Sequence, residues 1–238
     1  MQLSEMMAFP KLAKTYFTLI EILMRNHTST MVKLETLVLA HITNTLQEGL
    51  KSHEVSISSQ CAAAIENLTV YHFTHAPELE RTEAGRRLNA HLSTEPALFQ
   101  GLLSALLQII VFEECANQWS LSRPLLPLIL INQDFFNQWQ EQLVTWMIDD
   151  IELVTWMIDD IELVTWMIDD IELVTWMIDD IELMILIAQQ AGTPERQAKL
   201  VSAFQKLMAE VQCNLESKNR DKITTNLTLF RHEVKALF

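Results

Sequence analysis

Apolar residues recur at steps of three and four along most of this chain, the spacing that lines one face of a helix. Leu12, Tyr16, Leu19, Ile20 and Leu23 follow Pro10 and predict a first helix with one inward stripe. A polar break, Asn26–Thr30, offers Thr28, Ser29 and Thr30 as caps. Leu34, Leu37, Val38, Ile42 and Leu46 predict a second helix over Met31–Leu50, and the two fit one HEAT-like antiparallel pair. A third helix is expected over His53–Phe73, capped by Ser52. Its inward residues are Ile57, Cys61, Ile65, Leu68 and Tyr71, and Ala62-Ala63-Ala64 allows close approach. The polar stretch Thr74–Ser93, with Pro77, Gly85 and Arg86-Arg87, reads as a surface loop holding one short helix around Glu83–His91. Ser93 or Thr94 is expected to cap the next helix, Pro96–Phe112, with Pro96 in its first turn.

The stretch Val111–Phe136 organises the rest. Glu113-Glu114 closes one apolar helix, a polar turn carries Trp119 and Arg123-Pro124, and an almost wholly apolar run starts at Leu125. Pro124 and Pro127 lack N–H donors, which suits a kinked helix start and not a helix interior. Two buried helices meeting at a tight corner are expected. Further on, Gly192-Thr193-Pro194-Glu195 reads as a loop and a helix start. A helix over Glu195–Glu216 would carry Leu200, Phe204, Leu207, Met208 and Val211 on one side. Lys218–Lys222 reads as a charged turn before a last helix with Ile223, Leu227, Phe230 and Val234 inward, the second arm of a closing hairpin.

One segment breaks the pattern. Leu143–Glu182 is four identical copies of LVTWMIDDIE. Ten residues fall about 80° short of three helical turns, so the apolar face drifts from copy to copy. Trp146, Trp156, Trp166 and Trp176 therefore cannot share one buried side, and the Asp pairs rotate with them. A strand reading has β-prone LVTWMI in its favour, but no Gly or Asn supplies the positive φ of tight hairpins. A protruding helix is favoured; Asn132–Gln190 as one helix would be roughly 90 Å long. Its Trp, Met and Ile would make a sticky patch, with the aspartates as gatekeepers.

Composition agrees with an all-α chain. Hydrophobic residues are 49% and charged ones 20%, and four Gly and six Pro are few for a turn-rich β protein. The net charge of −14 is local: the copies hold twelve acidic residues and no basic ones, leaving −2 for the remainder. No basic face for nucleic acid is indicated. The longest apolar run, Ala97–Phe112, is interrupted by Gln100, Ser104 and Gln108 and is too short for a bilayer, and Met1–Pro10 lacks signal-peptide blocks. Neither nucleic-acid binding nor membrane insertion is expected.

Catalytic, metal and cofactor chemistry find little to stand on. The three cysteines, Cys61, Cys115 and Cys213, are odd in number and widely spaced, and read as reduced, buried thiols. Cys115 sits between acidic and apolar neighbours, which disfavours a thiolate. The histidines are scattered; His72 and His75 could share a helix face, but nothing joins them at ligand spacing. Pairs such as Asp149-Asp150 lack the alternating ligands and Gly of a calcium loop. No phosphate-binding or nucleophile-elbow motif occurs. Lys218, Arg220 and Lys222 form a small basic cluster that could meet an acidic partner, although a solvated turn is the plainer reading.

Three blocks in order carry a resemblance: Phe9–Leu23 (FPKLAKTYFTLIEIL), Phe112–Asn132 (FEECANQWSLSRPLLPLILIN) and Asn214–Val234 (NLESKNRDKITTNLTLFRHEV). The middle and last are the specific ones. Together they resemble the C-terminal part of the exportin-7 group of the karyopherin-β (importin-β) family of nuclear transport receptors. The resemblance covers nearly everything except the decapeptide copies, which stand as an insertion. It implies a HEAT-repeat α-solenoid that carries proteins through nuclear pores, shuttles between nucleus and cytoplasm, and catalyses nothing. The implied partners are protein cargo, nuclear pore proteins and the Ran GTPase, which such receptors bind mainly through an N-terminal arch outside these residues. No single binding residue transfers. The expected organisation is HEAT-like repeats over 1–142, the insertion over 143–186 and a closing hairpin over 187–238. The alternative is a stand-alone helical scaffold that self-associates through the Trp-rich copies.

Overall fold

The computed structural model describes residues 6–76, 81–113, 116–145 and 194–237. Among these residues the regular structure is helical, with no strand. In chain order the helices are α1 (Pro10–Asn26), the single turn α2 (Thr28–Met31), α3 (Thr36–Leu50), α4 (Val55–His75), α5 (Glu83–Thr94), α6 (Leu98–Phe112), α7 (Gln118–Ile131), a helical run α8 over 133–145, α9 (Pro194–Leu207) and α10 (Ser217–Lys235). The all-α expectation holds for them. All of the decapeptide copies beyond Thr145 lie outside the described residues, as do Glu114 and Cys115.

The chain divides into two compact units, one of Met1–Phe136 with Glu210–Thr228, the other of Asn137–Ala209 with Leu229–Phe238. In the first, α4 is the central helix and packs against α1, α3 and α7, while α6 packs on α3 and α7. Its Cys61, Ala62, Ala64, Ile65 and Leu68 are buried, while Ala63 of the alanine triplet is half-buried. Polar side chains tie the packed helices together. Gln60 Nε2 donates to Thr18 Oγ1 at 2.8 Å, joining α4 to α1. Asn117 Nδ2 donates to Ser58 and Ser59 hydroxyls at 2.9 and 3.0 Å, fixing the start of α7. In the second unit Phe204 takes Trp139 edge-on at 6.0 Å and Phe230 at 4.8 Å, over buried Leu200, Ala203 and Leu207.

Several local expectations give way to packing. In α1 the buried residues are Ala13, Phe17, Ile20 and Met24, whereas Leu12 and Leu19 are exposed. Both stripes have helical spacing. The observed one places Phe17 against Gly49, where α3 has no side chain to keep the ring away. The second helix is interrupted: α2 is one turn, α3 starts at Thr36, and Leu37 and Val38 point outward. None of the polar break caps by side chain; the Thr28 hydroxyl donates back to the Met24 carbonyl. Ser93 and Thr94 likewise donate to Asn89 and Ala90 carbonyls within α5 and do not cap α6.

The largest departure is at the corner. Trp119, Arg123, Pro124 and Pro127 all lie inside α7, which begins at Gln118, seven residues before the apolar run that starts at Leu125. A proline removes one backbone hydrogen bond. Here Pro124 and Pro127 are buried, and apolar burial of Leu121, Leu125, Leu126, Leu128 and Ile129 along the same helix offsets that loss. Downstream, α9 ends at Leu207, not at Glu216. Glu210 adopts φ 59°, the left-handed conformation that stops helices. The buried Asn219 side chain then closes the turn, accepting from Gln212 N at 2.8 Å and donating to the Asn214 carbonyl at 2.7 Å. Lys218–Lys222 accordingly forms the first turns of α10 and not a loop.

Candidate functional site

The described surface offers contact chemistry at two places in the first unit. The first is α1. Its core stripe is covered, yet Phe9, Leu12, Leu19 and Ile22 are exposed, by 63%, 43%, 53% and 38%. Tyr16 and Leu23 are half-buried between them. Phe9, Leu12, Tyr16, Leu19 and Leu23 recur at steps of three and four, the seam spacing of helix-on-helix packing. A helix apolar on two sides normally lies between two neighbours.

The second place is α7. Glu66 on α4 is buried, and its carboxylate accepts from two arginines. Arg123 Nε reaches Oε2 at 2.8 Å and its Nη2 reaches Oε1 at 3.2 Å, while Arg220 Nη1 on α10 reaches Oε1 at 2.6 Å. Arg220 Nε also donates to the Leu215 carbonyl at 2.9 Å. This charge-assisted knot joins α4, α7 and the start of α10. It also fixes the Arg123 guanidinium 5.0 Å above the Trp119 ring, which is 64% exposed. An exposed Trp under a held Arg is a pre-ordered contact pair of the kind that dominates protein interfaces.

The residues weighed for chemistry do not assemble. Arg220 is engaged with Glu66, and Lys222 pairs with Glu210 at 2.6 Å and holds that carboxyl below its usual range. With Lys218 they are therefore not the open basic cluster that the sequence suggests. Cys61 is buried, and burial pushes its thiol well above the usual range. Cys213 is exposed, against the expectation of burial, because α9 ends before reaching it. His75 Nδ1 pairs with the Tyr71 carbonyl at 2.9 Å. His72 turns away to meet Phe99 edge-on at 5.3 Å, so the two rings do not form a pair. Among the described residues no three His, Cys, Asp or Glu side chains come together as metal ligands. No single described helix is long and apolar enough to cross a membrane; α5 and α6 pass together by length and composition but are bent by 73°.

His72 yields a pH prediction. Its buried Nδ1 has no partner, and burial holds the ring below its ordinary value of 6.5. Above pH 6.5 the ring is neutral whether folded or unfolded. Below it, the unfolded chain takes the proton first, so stability falls as the pH drops toward the folded value. Denaturant melts across that range are expected to give a shallower acid slope for His72→Leu than for the parent; equal slopes would remove His72 from the account.

Neither Glu66 nor Trp119–Arg123 is legible as a unit from the sequence. Glu66 appears as one polar residue in an apolar helix, and its partners lie 57 and 154 positions away. The only available signal is a lone acid on a buried face.

Comparison with known proteins adds the relatives. No family model matches the chain, and no solved structure matches it. The human protein named Ran-binding protein 17 is 29% identical over 97% of this chain and 18% of its own length. Exportin-7-B of Xenopus laevis is 28% identical over the same shares, and Ran-binding protein 16 of Drosophila melanogaster 23%. The chain spans about a fifth of the length of the relatives it matches. The resemblance carried by the three sequence blocks is borne out: over nearly its whole length, this chain is a homologue of one segment of the exportin-7 and Ran-binding protein 16 and 17 proteins.

Proposed function

We infer that the chain is the C-terminal helical-repeat portion of an exportin-7-like nuclear transport receptor. It works by protein–protein binding, without catalysis, in Ran-dependent export of protein cargo through nuclear pores, and shuttles between nucleus and cytoplasm. The likeness over 97% of the chain to proteins named exportin-7 and Ran-binding protein carries this reading. The doubly apolar α1 supports an α-solenoid, in which each helix packs between neighbours. On this reading 1–142 and 187–238 are parts of one helical stack, and 143–186, with the identical copies, is an insertion between them.

The test is to tag the polypeptide carrying these residues at its natural locus and recover it from extract with Ran held in its GTP or GDP state. Ran recovered with GTP and not with GDP is the expected result. Equal or absent recovery in both states argues against a receptor.

The four copies with their Trp and Ile residues favour a second reading, a helical scaffold that self-associates. It requires that deleting Leu143–Glu182 convert an oligomer to a monomer in size-exclusion chromatography with light scattering. A size change no larger than the lost mass excludes it.

A further inference from the structure

We draw no further inference here: the strongest candidate, the outward apolar face of α1 with Phe9, Leu12, Leu19 and Ile22 exposed, carries nothing further because nothing in the structure shows what covers it.

Discussion

Alanine at Glu66 is expected to lower the stability of the first unit by about 3 kcal/mol, the low end of what removing one partner from a buried ion network costs. The carboxylate is buried and is the shared acceptor of Arg123 and Arg220. Its loss leaves two guanidiniums in place with their acceptor gone. The cost stays near the low end because the Arg123 side chain is 45% exposed and that of Arg220 30%, so both can turn toward water. Arg123→Ala, which leaves the Glu66–Arg220 pair intact, is expected to cost only about 1 kcal/mol. Thermal melts should therefore separate the two variants by several degrees. If Glu66→Ala melts within a degree of the parent, the knot contributes nothing to the packing of α4, α7 and α10.

Gly49→Ala is expected to destabilise by about 2 kcal/mol, although alanine is the better helix former by nearly 1 kcal/mol. The added Cβ would stand 2.8 and 2.9 Å from Phe17 ring carbons and closer still to the Cys61 sulfur. Phe17 and Cys61 are both wholly buried, so neither has an empty place to move to. Overpacking therefore outweighs propensity. Removing the sulfur should return part of the loss: Gly49→Ala with Cys61→Ala is expected to be more stable than the sum of the two single changes allows. Additive effects in denaturant melts would mean that Gly49 does not face these two side chains.

The same contact explains what could and could not be read in advance. Residues 223, 227, 230 and 234 of α10 are the apolar set at helical spacing in a polar helix, and all four are buried as expected. Likewise α4 buries Ile57, Cys61, Ile65 and Leu68. In α1 there are two candidate stripes one residue apart, and periodicity alone cannot choose between them. The choice is made 32 positions away, where Gly49 makes room for Phe17. The placement of Pro124 and Pro127 inside α7 was hidden for a similar reason. A local rule about missing donors is overridden by burial of the leucines around them. The Glu66 knot depends on residues from three helices, so no window of sequence contains it.

The two stripes of α1 also bear on the central claim, because the outer one is what a further helix of a longer stack would cover. The most direct measurement is the size of the polypeptide that carries these residues in the cell, by immunoblot with an antibody raised against residues 214–234. The receptor reading predicts a band roughly five times the 27.4 kDa of this chain, in proportion to the 18% of the relatives' length that it matches. A single band near 27 kDa would contradict it and leave a free-standing helical binding protein related to these receptors by descent.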